Sequence, residues 1–396
     1  MLEKNCGSGQ SLDELAGRLG YTDRHLRRVF MAQYNVSPVQ YLQTCRLLLA
    51  KNLLTDTNLP VLEVAMAAGF GSLRRFNDLF KKRYNLSPTS LRKRTTEEKR
   101  RNSGGIALAL GYRPPYQWEK MLDFLSGRAI KGVEVVTNKE YMRTVHLQNT
   151  EGKSIYGWVQ VGCIPEKNAI KVTVSDTLIT VLSQVLARIR CLFDLYCDPN
   201  AIYETLHIMN DIAPGLCILG TRVPGCFDAF ETAVRAVLGQ QISVKAASTL
   251  ASRIVETYGT PVQTEIEGLT HVFPSPEKIA GLSGSIENHF GALGVTGARS
   301  RTIYELAQAF IKKEIDFDLC AQPEEEMKKL MQIRGIGSWT SQYIAMRAMG
   351  WPDVFLETDA GVKKALRPRT SKEILKMAEK WRPWRSYATM NLWNSL

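Results

Sequence analysis

The stretch EEEMKKLMQIRGIGSWTSQYIAMRAMG, Glu324–Gly350, consists of two amphipathic helical segments interrupted by Ile333-Arg334-Gly335-Ile336-Gly337. Alternate glycines let the backbone turn sharply and approach another surface closely. The following helix begins at Ser338, and its first N–H groups have no partner within the helix, so they point outward. A helix start of this kind suits a phosphate. A Gly-x-Gly turn alone is weak evidence; flanking helices of the right polarity make it strong. Twenty residues beyond Trp339 stands Asp359, in VFLETDAGVKKAL, where an apolar, strand-like segment meets a new helix. An Asp in that setting is ordinarily an N-cap and nothing more.

Upstream of the hairpin the chain is helical in period from Ser175 onward, through Arg190, Ala229–Leu238, Val244–Tyr258 and Ala298–Lys312. Between Ile106 and about Val174 the pattern differs. Short β-branched or alternating runs, VEVV at Val133, YMRTVHL at Tyr141, SIYGWVQV at Ser154 and AIKVTV at Ala169, surround one helix at Gln117–Gly127. That pattern predicts a small α+β layer with an antiparallel sheet.

The N-terminal segment contains a repeat. LDELAGRLGYTDRHLRRVFMAQYNVSP, from Leu12, recurs as VLEVAMAAGFGSLRRFNDLFKKRYNLSP, from Val61, at an offset of 49 that becomes 50 after a one-residue insertion in the turn. Glu14, Ala16 and Gly20 match Glu63, Ala65 and Gly69, and Phe30, Tyr34, Asn35, Ser37 and Pro38 match Phe80, Tyr84, Asn85, Ser87 and Pro88. Each copy reads as a helix, a glycine turn and a second helix opened by an N-cap hydroxyl, Thr22 or Ser72. This is helix-turn-helix organisation. In the second helices, Leu26, Val29 and Phe30, and then Phe76, Leu79 and Phe80, are expected to face inward; Arg24, Arg27 and Arg28, and then Arg74, Arg75 and Asn77, face out. Arg and Asn near such a helix start reach guanine and adenine edges in the major groove. With the helical stretch Val39–Leu54 between them, the two helices suit successive groove segments about 34 Å apart.

The charge distribution agrees. Residues 1–105 hold 18 Lys and Arg against 9 Asp and Glu, so they carry +9 of the net +12. A polyanion partner follows, although charge alone does not separate nucleic acid from an anionic membrane. The 396 residues, 44% of them apolar, are ample for two or three packed domains. MLEKNCGSGQ lacks the apolar core of a signal peptide and no run reaches membrane-spanning length, which places the protein in the cytoplasm. The eight cysteines are scattered without a CxxC pair, which predicts reduced thiols and no zinc or iron-sulfur site. TTEEKRRNSGG, Thr95–Gly105, has the composition of a tether.

Across Ser11–Arg94, and most specifically in the GF-x-S-x-x-R-F-x-x-x-F-K run at Gly69–Lys81, the chain resembles the AraC-type DNA-binding domain. A hairpin followed at this spacing by an acidic residue resembles the helix-hairpin-helix glycosylase superfamily. From Tyr112 to the end the likeness narrows to AlkA-type 3-methyladenine DNA glycosylases, carried by RPPYQWEKMLDFL, LFDLYCDP, PGCFDAFETAVRAVLGQQIS, IRGIGSWTSQYIAMR, DVFLETD and KWRPWRSYATMNLW in that order. The resemblance implies a mainly α protein with an α+β subdomain. Its parts are an N-terminal tail (1–10), a double helix-turn-helix module (11–94), a linker (95–105), a small antiparallel-sheet (TBP-like) domain (106–176) and an all-α helix-hairpin-helix glycosylase domain (177–396).

The same resemblance assigns residues. The catalytic carboxylate falls on Asp359, the base-stacking aromatics on Trp339, Tyr343 and Trp393, the wedge that fills the duplex on Gln241, and the phosphate contact on Gly335 and Gly337. In the N-terminal module Arg24, Arg27, Arg28, Ser72, Arg74, Arg75 and Asn77 fall on DNA-contacting positions. The implied reaction is hydrolysis of the N-glycosidic bond of alkylated purines such as 3-methyladenine and 7-methylguanine, the activity of DNA-3-methyladenine glycosylase II. It needs no metal and no cofactor, save a monovalent cation where the hairpin meets phosphate. The base must first be flipped out. A cationic alkylated purine then stacks on electron-rich rings, and Asp359 stabilises positive charge on the sugar, either directly or while also taking a proton from the attacking water. Strand-cutting members of the superfamily carry a lysine where this chain has Trp339, so the resemblance implies a monofunctional enzyme. The implied partners are double-stranded DNA with alkylated bases, promoter DNA and RNA polymerase, with no membrane, and the protein is expected to be a monomer. The competing reading is a transcriptional regulator whose glycosylase half is inactive and only senses damage.

Overall fold

The computed structural model describes residues 12–18, 20–95, 105–149, 151–317 and 322–396. The N-terminal tail and nearly all of the expected linker lie outside the described residues. The chain divides into two compact units, Met1–Leu110 with Thr144–Val161 and Lys171–Ile189, and Gly111–Arg143 with Gly162–Ile170 and Arg190–Leu396. Each is taken by itself below.

Six helices form the N-terminal module: α1 (Leu12–Arg18), α2 (Asp23–Tyr34), α3 (Pro38–Asp56), α4 (Val61–Ala67), α5 (Leu73–Tyr84) and α6 (Pro88–Thr95). The two copies end their helices by the same chemistry. The Thr22 hydroxyl accepts from the His25 N–H at 3.2 Å and the Ser72 hydroxyl from the Arg75 N–H at 3.4 Å. Asn35 and Asn85 close α2 and α5 in the left-handed region, at φ 55° and 54°, a conformation Asn tolerates better than most residues. The inward stripe differs between copies. Phe76 and Phe80 are fully buried, as expected, but α2 buries no residue completely and Val29 is 50% exposed. The expectation that Val29 faces inward is therefore incorrect: α2 shares the amphipathic pattern of α5 without an equally deep core beneath it.

The α+β layer has five strands, β1 (Ile106–Gly111), β2 (Glu134–Val136), β3 (Glu140–Gln148), β4 (Ser154–Ile164) and β5 (Ala169–Val174), in the order β1-β5-β4-β3-β2. Strands β2 to β5 fall where the short apolar runs predict them, and α7 (Trp118–Ser126) is the expected helix. β1 has no counterpart in the sequence reading. Its IALALG buries Ile106, Leu108 and Leu110 on one face, but alanine between them leaves little polar contrast for a period of two to show.

The helical remainder comprises α8 (Leu182–Leu192), α9 (Pro199–Leu206), α10 (Ala229–Leu238), α11 (Val244–Tyr258), α12 (Pro276–Ala280), α13 (Ile286–Gly291), α14 (Gly297–Ile311), α15 (Pro323–Gln332), α16 (Ser338–Arg347), α17 (Ala360–Ala365), α18 (Ser371–Ala378) and α19 (Arg385–Asn394), with a two-stranded pair, β6 (Thr260–Pro261) and β7 (His271–Val272). Val234, Val237, Ile254, Ile303, Leu306 and Ile344 form the centre of its core. The hairpin between α15 and α16 is anchored there through Leu330 and Ile336. VFLETD, read as strand-like, is irregular; Val354, Phe355 and Leu356 are buried without joining a strand. Among the described residues no helix is long and apolar enough to cross a membrane.

Candidate active site

The hairpin turns at Gly335, whose φ of +94° is open to glycine and strained for other residues. A Cβ there would also lie 2.2 Å from the Thr302 hydroxyl, which donates to the Arg334 carbonyl at 2.8 Å. Gly337 is extended, at φ −95°, and precedes the first turn of α16 with no side-chain cap. The turn Gly239–Ser243 lies against this hairpin: the Gln240 amide donates to the Gly335 carbonyl at 2.8 Å and to the Thr340 hydroxyl at 3.0 Å, and Arg299 donates to the Gln240 carbonyl. Gln241, next in sequence, is exposed and held at φ +56°. Wedge candidate and phosphate-binding candidate thus sit on one clamped surface.

That surface rims a cleft of about 1090 Å³ lined by Gln241, Gly335, Gly337, Trp339, Tyr343, Asp359, Trp393 and Arg128, among others. Residues from five separate segments meet in it. Trp339 and Tyr343, one turn apart on α16, stack on each other, centroids 5.3 Å apart and 21° between planes. The Trp393 ring on α19 lies 6.4 Å from that of Tyr343.

Asp359 is the N-cap of α17, as its position suggests, but the cap uses only part of its carboxylate. Oδ1 accepts from the Val362 N–H at 3.0 Å and from the Trp393 indole N–H at 2.8 Å; Oδ2 accepts from the Trp339 indole N–H at 3.1 Å. Both flanking aromatics therefore hold the carboxylate by directed bonds, while Oδ2 keeps room for a further donor, since a carboxylate accepts about four. Close approach of Trp393 depends on Gly361, where a Cβ would lie 2.9 Å from the indole and 3.0 Å from Asp359 Oδ1.

Two residues in RPPYQWEKMLDFLSGRAI complete the wall and were given no role by the sequence reading. Phe124 stacks on Trp393 at 6.2 Å and 20°. The Arg128 guanidinium lies over the Phe124 ring, 3.7 Å from its centroid, and the Arg347 guanidinium lies 4.7 Å from the same ring. Arg347 donates to the Tyr343 hydroxyl at 2.8 Å and to the Pro224 and Gly225 carbonyls. Burial would raise the Tyr343 phenol, but Arg347, Arg128 and Arg235 together hold it below its ordinary value. Phe124 lies on α7 and Arg128 two residues beyond its end; nothing local told this stretch from an ordinary core stripe.

Behind this wall lies a buried ion network. Arg143 donates to Glu231 at 2.6 Å, and Arg235 bridges Glu231 at 2.9 Å and Glu134 at 3.0 Å. The Tyr141 hydroxyl donates to Glu134 at 2.6 Å.

In the N-terminal module Arg24, Arg28, Arg74, Arg75 and Asn77 are exposed on α2 and α5. Arg27 is exposed too, but pairs with Asp23 at 2.6 Å, and Ser72 serves its own helix as the N-cap. Among the described residues no cluster of His, Cys, Asp and Glu is arranged to hold a metal ion.

Three stretches of the chain match known families. Residues 15–94 match the family model described as a helix-turn-helix domain, 107–228 the AlkA N-terminal domain, and 234–380 the HhH-GPD superfamily base excision DNA repair protein. The Mycobacterium tuberculosis protein named "Probable bifunctional transcriptional activator/DNA repair enzyme AlkA" is 36% identical over 395 residues, covering 96% of this chain and 76% of that protein. DNA-3-methyladenine glycosylase 2 of Escherichia coli is 34% identical over 286 residues, 72% of this chain and 95% of its own length. The solved structure of a 3-methyladenine DNA-glycosylase from Archaeoglobus fulgidus shares the fold with a TM-score of 0.59 at 21% identity, covering 72% of this chain and 96% of that one.

Proposed function

Since the chain belongs to the family of AlkA-type DNA-3-methyladenine glycosylases, joined to a helix-turn-helix DNA-binding domain, we propose that it hydrolyses the N-glycosidic bond of alkylated purines, of the 3-methyladenine and 7-methylguanine type, in double-stranded DNA. The observation that carries this reading is the Asp359 carboxylate, fixed by two indole N–H groups at the edge of an aromatic cleft beside the hairpin. The first turn of α16, behind Gly335 and Gly337, takes a backbone phosphate on its free N–H groups. Gln241, already projecting in a left-handed turn, fills the place of the flipped base. The extruded purine enters between Tyr343 and Trp393 and places its sugar by Asp359.

Cleavage leaves positive charge on the sugar. A carboxylate ~4 Å away at an effective dielectric near 20 stabilises that charge by about 4 kcal/mol. Water then attacks the sugar carbon. Trp339, at the hairpin position where a strand-cutting enzyme holds its amine, offers no nucleophile. Incubating the full chain with methylated duplex DNA should release methylated purines and leave intact abasic strands, with no covalent adduct under borohydride. A trapped adduct would overturn the hydrolytic assignment and point to a lysine such as Lys363 or Lys364.

The N-terminal module, residues 11–94 followed by a linker at 95–105, reads promoter DNA through Arg24, Arg28, Arg74, Arg75 and Asn77, with RNA polymerase as its protein partner. The whole acts as a cytoplasmic monomer. Arg74→Ala in the full chain should weaken binding to a duplex selected from a random pool by about 1–3 kcal/mol, with little effect on unselected duplex. Equal losses on both would reduce Arg74 to a phosphate contact.

A further inference from the structure

The loop that carries Gln241 and the hairpin that carries Gly335 and Gly337 are bonded to each other, and one side chain makes most of the join. Gln240 follows Gly239, the C-cap of α10, and its amide nitrogen donates to the Gly335 carbonyl at 2.8 Å and to the Thr340 hydroxyl at 3.0 Å. A carbonyl only accepts, which settles that the nitrogen end of the amide faces the hairpin. Thr340, in the first turn of α16, is buried, so the two bonds reach both the turn before Gly337 and the helix start behind it. Helix α14 holds the same two partners: Arg299 donates to the Gln240 carbonyl and Thr302, three residues on, to the Arg334 carbonyl at 2.8 Å. Gln241 comes directly after this brace in the left-handed region, at φ +56°. That conformation is costly to a residue with a side chain and persists where the surrounding bonds impose it.

We propose that Gln240 is a positioning residue that couples the hairpin's grip on phosphate to the insertion of Gln241, so that binding energy gained at the backbone holds the duplex open at the lesion. The assignment rests on the glycosylase reading above. Extruding a base breaks its pairing and stacking, and the gap it leaves tends to close. A plug on a loop free to swing recoils from that pressure and loses chain entropy each time it enters the stack. A plug on a loop already bonded to the phosphate-holding turn has neither freedom to lose. The energy of the phosphate contact is then available to keep the base outside the stack, where the bond is cleaved. Gln240 acts through Gln241 and the hairpin, not on the reacting atoms.

The test compares single-turnover release of 7-methylguanine by the full chain from two duplexes, one with the lesion paired to cytosine and one with the lesion in a single-nucleotide bulge, where no partner has to be displaced. The quantity read is the ratio of the paired to the bulged rate, in which any loss common to both cancels. Q240L, of similar size but without a donor, should lower that ratio by about 10-fold, the worth of one or two neutral hydrogen bonds. Affinity for undamaged duplex should stay within about 2-fold, because the phosphate sits on backbone N–H groups that the substitution leaves in place. Q240E keeps shape and polarity but sets an oxygen against the Gly335 carbonyl, and should lower the ratio as Q240L does. An unchanged ratio in Q240L, with both rates falling together, would make Gln240 a merely structural residue and overturn the proposal. So would a wild-type ratio in Q240E, which would show that shape and not donation matters. A loss of affinity for undamaged duplex as large as the loss in ratio would also overturn it, by making Gln240 part of the phosphate grip. Failure of the wild type to release 7-methylguanine from either duplex would instead strike the glycosylase reading itself.

Discussion

Asp359→Asn is expected to slow single-turnover base release by about a thousandfold, while binding to a duplex with an abasic-site analogue stays within a few-fold of wild type. The magnitude follows from the ~4 kcal/mol a nearby carboxylate gives to sugar charge that exists only during cleavage. The geometry adds a second effect of the same sign. The carboxylate accepts indole N–H bonds on both oxygens. An asparagine offers one oxygen and one NH2, so one of Trp339 and Trp393 would face a donor instead of an acceptor. The ring that loses its bond is one that stacks on the base, so the variant should also show altered tryptophan fluorescence without global unfolding. Near-normal turnover would sink the proposed role of Asp359. A parallel collapse of abasic-site binding would show that the carboxylate mainly holds the cleft together.

Glu231→Ala is expected to destabilise the helical half by about 3–5 kcal/mol, lowering its Tm by roughly 10 °C or more. Glu231 side-chain exposure is 2% and that of its partner Arg143 is 5%. Removing the carboxylate takes from the buried Arg143 guanidinium its 2.6 Å bond and from Arg235 one of two bridges. Such a loss exceeds the worth of the bond itself, because the remaining charge stays desolvated. Calorimetry on the full chain checks it; a shift under about 2 °C would mean that the network is slack or hydrated. The same network sets a pH limit. Burial alone would raise the Glu134 carboxyl, but Arg235, Arg143 and the Tyr141 hydroxyl hold it below its ordinary value. A depressed folded pKa contributes stability that is complete above the ordinary carboxylate range, near pH 5, and is lost as pH falls through the lower folded value. Wild-type Tm should therefore hold between pH 7 and 5 and decline below, and Glu231→Ala should shift that decline, since Glu134 and Glu231 share Arg235.

Much of the molecule is written locally. Thr22, Ser72, Asn35 and Asn85 mark helix ends because the groups they bond lie within four residues, so the repeat and its helix-turn-helix form follow from the chain alone. The same holds for the hairpin, where Gly335 supplies a left-handed turn and Ser338 starts a helix, and for Asp359 at the start of α17. Packing decided the rest. Val29 and its place in a periodic stripe do not reveal how much core lies beneath α2, and the alanines of β1 hide an alternation that only its buried face makes visible. The two indole bonds to Asp359 span 20 and 34 residues, and the cleft wall brings Phe124 of α7, and Arg128 just beyond that helix, against Trp393 of α19. Periodicity records which side chains share a helix face. Whether that face meets solvent, core or the edge of a reactive cleft depends on which distant segment covers it, and only the tertiary structure supplies that.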